Sequence, residues 1–171
     1  MKKTRVFLNN RDVGDVHYNM KAITWLASVS VGIAALSATA FATAPEGWLT
    51  DVDEAIASAK KENKAVMLEF TGSDWCPPCI AMKKNVFSKP EFLEKAAEKF
   101  VLVHLDFPRG NPELREKNMP LAQKYAIEGY PTIILLDGEG KEFTRFFASQ
   151  HPTVEQFLTH LDKSLEKKEF D

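Results

Sequence analysis

The sequence predicts an α/β domain in which a central mixed sheet carries helices on both faces. Three observations carry that prediction. Short apolar runs at 65–70, 101–106 and 132–136 are separated by segments of helical periodicity, the pattern of strands joined by crossover helices. The third run is followed at once by Asp137-Gly138-Glu139-Gly140 and then 141–147, which reads as a hairpin and adds an antiparallel pair. No repeat, Pro/Gly-rich linker or long charge block divides residues 43–171, so these elements form one domain.

In chain order, residues 51–62 place Val52, Ala55, Ile56 and Ala59 on one helical stripe, with Asn63 as a C-cap. Residues 65–70 form a buried strand interrupted by one acid, Glu69, and 71–74 form a loop. A helix begins at the cysteines and runs through Val86. Ser88 with Glu91 three residues on is a capping box, with Pro90 in the first turn, opening a further helix to Phe100. After the strand 101–106 and a Pro/Gly-containing loop, 113–126 is helical with a break near Pro120. Thr153 with Gln156 opens a last amphipathic helix that ends near Lys168.

The N-terminus has a different character. From Ala22 to Ala44 no residue is charged, and Lys2, Lys3, Arg5, Arg11 and Lys21 precede that run. A positive flank, an apolar run and small residues at its end read as a secretory signal, with cleavage after Ala40-Phe41-Ala42. The alternative is an uncleaved membrane anchor, for which the run is long enough but rich in Ala, Ser and Thr. Met20-Lys21 would open a signal of ordinary proportions, so residues 1–19 carry no structural weight. The division is therefore 1–42, extension and signal, and 43–171, the folded domain. Without residues 1–42 the chain is 129 residues long, with 17 basic and 22 acidic side chains. An acidic domain of that kind is a poor partner for nucleic acid or an anionic membrane surface.

Cys76 and Cys79 are the only cysteines, in the run Trp75-Cys76-Pro77-Pro78-Cys79. Two are too few for a disulfide framework, so their value is chemical. At i and i+3 they lie one helical turn apart, close enough for reversible bonding at a helix start. With Cys76 as N-cap, Pro77 and Pro78 fall at N1 and N2, where an amide has no intrahelical partner to lose. The same placement points the Cys79 amide and the helix dipole at the Cys76 sulfur, an environment that lowers a thiol pKa. Cys76 is then the nucleophile and Cys79 the resolving thiol.

Asp74-Trp75-Cys76-Pro77-Pro78-Cys79 after an apolar strand, with Gly129-Tyr130-Pro131-Thr132 before another, resembles the thioredoxin family. The resemblance runs from about Trp48 to Lys168 and implies the thioredoxin fold. The opening helix is similar to that of exported thioredoxin-like proteins, and the Cys-Pro-Pro-Cys run to tryparedoxins and nucleoredoxins. The resemblance further implies that Pro131 is a cis-proline facing the cysteines, and that Tyr130 offers its backbone to an extended substrate segment. The alternative is an ordinary trans bond entering a strand. Glu69 stands where the family has a buried acid, usually Asp, beneath the resolving cysteine. A carboxylate there is costly when ionised, which suits it to accept the Cys79 proton. The alternative is an edge glutamate paired with a lysine such as Lys64. Trp75 is a platform beside the nucleophile, loop packing, or both. Asp74 reads as a solvated loop residue.

The motif and the N-terminal signal together predict an exported, periplasmic thiol–disulfide oxidoreductase, soluble or anchored by its N-terminal segment, and acting as a monomer. Its partners are protein disulfides or dithiols and an upstream redox protein, and it needs no cofactor. A reductant role is what the resemblance implies, since an acid beneath the pair is similar to the reducing members of the family. One C-x-x-C supplies two of the four ligands of a zinc site, and His104, His151 and His160 do not complete a set, so no metal is expected. A peroxidase of the same fold would need a cysteine outside the pair, and there is none. The remaining alternative is a non-catalytic binding or chaperone module with a structural disulfide.

Overall fold

The computed structural model describes residues 44–169. The signal or anchor segment and its Ala40-Phe41-Ala42 site lie outside the described residues. Among the described residues no helix is long and apolar enough to cross a membrane.

The elements are α1 (Val52–Glu62), β1 (Ala65–Thr71), α2 (Pro77–Met82), a π-turn (Lys83–Phe87), α3 (Pro90–Lys99), β2 (Phe100–Asp106), α4 (Pro112–Lys124), β3 (Thr132–Leu136), β4 (Glu142–Phe147), a 3₁₀ turn (Ala148–Gln150) and α5 (Val154–Glu169). The sheet order is β2-β1-β3-β4. β1 runs parallel to β2 and antiparallel to β3, and β3 is antiparallel to β4, so the sheet is mixed as its sequence predicts. The crossover through α2 and α3 supplies the parallel pair, and the turn at 137–140 the antiparallel pair β3–β4.

Strand alternation divides the core into two layers. Met67, Leu102, Ile133 and Leu135 pack with Met82 and Val86 of the α2–π-turn segment, Phe92 and Ala96 of α3, and Phe157 and Leu161 of α5. Val66, Leu68, Phe70, Val103, Leu105, Ile134 and Leu136 pack on the opposite face with Val52, Ala55 and Ala59 of α1 and with Ala122 of α4. The outer edge of β2 is covered by the segment before α1. Leu49 donates its N–H to Leu102 O and accepts from His104 N, both at 2.8 Å.

Several boundaries follow the sequence signals. The Asp51 carboxylate accepts from Glu54 N at 2.9 Å, Asn63 ends α1 in the left-handed region at φ 54°, and Thr153 Oγ1 accepts from Gln156 N at 3.3 Å. Three do not. Lys89, not Ser88, is the N-cap of α3, because Pro90 occupies N1 and fixes the entry; Ser88 N–H instead closes the π-turn on Lys83 O at 2.9 Å. The helix after the cysteines widens into that π-turn, which turns the adjacent Val86 and Phe87 both into the core. Helix α4 continues through Pro120 without a break, losing one ladder bond while its flanks hold it.

Phe157 centres an aromatic cluster, with ring centroids 5.2 Å from Phe87, 5.6 Å from Phe92 and 5.6 Å from Phe146. It ties α5 to the π-turn, α3 and β4. Phe157→Ala is expected to cost about 3–5 kcal/mol. A urea midpoint equal to that of the wild type contradicts this placement of the cluster.

Candidate active site

Helix α2 starts at Cys76, whose backbone is extended at φ −100° and ψ 104°, with Pro77 and Pro78 at N1 and N2. The first free amide is that of Cys79, and it donates to Cys76 Sγ at 3.3 Å. Ile80 N donates to Cys76 O at 3.0 Å and opens the helical ladder. The two sulfurs are bonded, with the Cα atoms 5.2 Å apart. Cys76 keeps 4% exposure and Cys79 1%, so the nucleophile candidate is the more accessible of the pair.

Loops from three elements support this turn. Gly72 O accepts from Trp75 N at 3.3 Å and from Cys76 N at 3.0 Å. A Cβ on Gly72 would lie 2.5 Å from the Trp75 ring, so glycine is required for that approach. Trp75 Nε1 donates to Phe107 O at 2.8 Å, the Arg109 guanidinium sits 4.8 Å over its ring, and Tyr130 meets it edge-on at 5.6 Å. Trp75 is thus both packed and half-buried beside Cys76.

Tyr130–Pro131 is a cis peptide. Pro131 O accepts from Ala148 N at 3.0 Å, whereas among the described residues no hydrogen bond reaches the Tyr130 backbone N–H or C=O. Burial pushes the Tyr130 phenol up, so the ring stays neutral.

Glu69 is 3% exposed and sits in register between His104 on β2 and Ile133 on β3. Alternation puts it on the sheet face of Met67, which packs with Met82, one helical turn after Cys79. Its partner is a histidine: Glu69 Oε2 lies 2.8 Å from His104 Nδ1. Lys64 pairs with Glu62 instead, at 2.6 Å.

Four features went unread in the sequence. His104 became a partner of Glu69 only through strand register. Asp106 accepts from Ser73 N at 2.9 Å and from Ser73 Oγ at 2.5 Å, tying the loop after β1 to the end of β2. Asp74 is an exposed loop residue as expected, but it also accepts from Arg109 N at 2.9 Å and Gly110 N at 2.7 Å, and those two amides hold its carboxyl below the usual range. Ile80 and Phe147 are exposed apolar side chains, one beside Cys79 and one in register with Thr132, next to Pro131. Phe143 and Phe146 both pack on the core across a register shift in β4, so simple alternation does not single out Phe147.

A family model described as thioredoxin-like matches residues 47–138. The chain is 38% identical over 95 residues to the disulfide bond reductase DsbH of Chlamydia pneumoniae, covering 54% of this chain and 57% of that protein. It is 33% identical over 135 residues to the thiol:disulfide interchange protein DsbD 2 of Pseudomonas aeruginosa, covering 76% of this chain and 22% of that protein. The chain therefore spans little more than half of the first relative and about a fifth of the second. A solved structure described as DsbH oxidoreductase superposes with a TM-score of 0.61 at 30% identity, covering 72% of this chain and 90% of that one.

Asp74 carries a pH signature. Its folded carboxyl titrates below the ordinary aspartate range, so its contribution is complete above the unfolded pKa and disappears as pH falls through the folded value. Asp74→Asn is expected to lower the denaturant midpoint at pH 7 and to match the wild type at the acid end of the folded range. An equal deficit at every pH in unfolding titrations rejects the charge-based account.

Proposed function

The chain belongs to the thioredoxin-like family, and from that we propose that it is a thiol–disulfide oxidoreductase that reduces exported proteins. The observation that carries the reading is the Cys76 sulfur at the N-cap of α2, receiving the Cys79 amide. That amide and the helix N-terminus stabilise a thiolate on Cys76. The thiolate attacks a substrate disulfide, forming a Cys76–substrate bond and releasing one substrate thiolate. Cys79 then attacks Cys76 Sγ, and the second substrate sulfur leaves with its electron pair. The product is the Cys76–Cys79 disulfide, which an upstream dithiol protein reduces again.

Each neighbour has a role in this scheme. Pro77 and Pro78 leave Cys79 as the only amide able to reach the sulfur. The unpaired backbone of Tyr130, beside Pro131, receives an extended substrate segment by strand addition, and Trp75 forms the adjoining wall. Glu69, on the Cys79 side of the sheet, takes the proton of the resolving thiol. The name of one relative, a disulfide bond reductase, supports the reducing direction. Export to a periplasm rests on the uncharged run behind a basic flank, and monomeric action on a site built within one chain.

The test is a trap. Cys79→Ser in the full chain is expected to accumulate reductant-sensitive adducts through Cys76 in the native compartment, and Cys76→Ser none. The wild type is expected to reduce insulin disulfides. No adducts, together with no insulin reduction, would sink the oxidoreductase reading and leave a structural disulfide.

A further inference from the structure

A second titratable group stands against Glu69, and the fold opens it to solvent. Glu69 and His104 face each other across the parallel strands β1 and β2, with Oε2 and Nδ1 2.8 Å apart. The carboxylate side chain is 4% exposed and the imidazole 12%. The two nitrogens of an imidazole lie on different sides of the ring, so a partner at Nδ1 leaves Nε2 free to face elsewhere. His104 lines a cleft of about 940 Å³, together with Trp48, Ser73 and Asn118. Trp48 packs edge-on to His104 at 6.1 Å, and its buried indole N–H has no partner among the described residues. The His104 ring therefore stands between the buried acid and this cleft.

We propose that Glu69 and His104 form a proton relay between the resolving cysteine and this cleft. The proposal rests on the reading of Glu69 as the acid that serves Cys79. During resolution the Glu69 carboxylate takes the proton of Cys79 Sγ–H while the sulfur attacks Cys76 Sγ and the substrate thiolate departs. Glu69 hands that proton to His104 Nδ1, and the imidazolium releases its other proton from Nε2 into the cleft. His104 is left as the Nδ1–H tautomer, donating to Glu69. When an upstream dithiol reduces the pair, the sequence reverses. Nε2 takes a proton from the cleft, Nδ1 returns its own to Glu69, and Glu69 protonates the departing Cys79 thiolate. The two half-reactions reset the tautomer without turning the ring.

Charged side chains line the cleft that His104 also lines. Besides Glu69, the cleft presents Glu54 from α1, Lys83 from the π-turn, Asp106 from β2, and Glu113 and Lys117 from α4. His104 acts through Glu69 and touches no substrate, so it is a positioning residue.

The test follows resolution of a Cys76–peptide mixed disulfide by rapid quench, across pH, in the full chain. General acid–base groups contribute roughly 10²–10⁴-fold, so Glu69→Gln is expected to be about 100-fold slower at neutral pH and His104→Gln about 10-fold slower. His104→Gln keeps a donor for Glu69 and cannot relay, which separates the relay from folding. In His104→Ala the vacated ring space opens on the cleft, and free imidazole is expected to restore the rate in proportion to its concentration while leaving the wild type unchanged. Wild-type resolution in Glu69→Gln removes the role of Glu69 and the relay with it. A slow Glu69→Gln beside His104 variants of wild-type rate and pH profile overturns the relay alone. So do slow His104 variants with an unchanged pH profile and no rescue by imidazole, which would mark His104 as structural.

Discussion

The arrangement depends on one contact, the Cys79 N–H on Cys76 Sγ. Helix starts leave several amides without partners, and most sequences satisfy them with a side-chain oxygen or water. Here Pro77 and Pro78 remove two of those donors outright. The third position carries the first free amide of the helix, and among the described residues its acceptor is the Cys76 sulfur. The prolines also fix φ through the first turn, so the direction of that amide is set by covalent geometry. A capping rule that ordinarily serves stability thus fixes where the proposed nucleophile sits.

Everything around the contact keeps that turn at the end of the sheet. β1 and β2 run parallel and end at the same edge, where antiparallel β3 begins, so the loops after Thr71, after Asp106 and before Thr132 meet there. Trp75 binds the second loop through Phe107 O and meets the third through Tyr130. Phe107 and Tyr130 close the triangle at 5.4 Å. Asp74 and Asp106 add backbone and hydroxyl bonds between the first two loops. Both cysteines are therefore buried without belonging to either hydrophobic layer.

Much of this was legible wherever one residue's covalent properties decide the outcome. Proline at N1 and N2, Asp51 and Thr153 as caps, Asn63 in the left-handed region and the turn at 137–140 act locally, so sequence reports them directly. The capping box at Ser88 failed because two local rules competed and Pro90, the stiffer, won. The π-turn and the unbroken helix through Pro120 depend on what the sheet and neighbouring helices offer, which no local pattern carries. The same limit hid His104: a histidine in a strand has no readable partner until register is known, and one residue of slip would have placed it on the other face. Ser73–Asp106 and Asp74–Arg109 span more than thirty residues and share that fate.

The Glu69–His104 pair is also the point at which fold and chemistry make opposite demands. On the same sheet face, Met67 of β1, Leu102 of β2, and Ile133 and Leu135 of β3 are buried and apolar. Two hydrophobic residues at the pair's positions would complete that layer at no desolvation cost, whereas a buried polar pair at best offsets its own penalty. Removing either partner leaves the other buried and unsatisfied, which binds the two residues into one unit. The departure from apolar filling occurs on the sheet face that carries α2 and at the strand ends nearest the cysteines. A layer built only for packing has no reason to place its polar cost there; the proposed proton transfer past a buried sulfur supplies one.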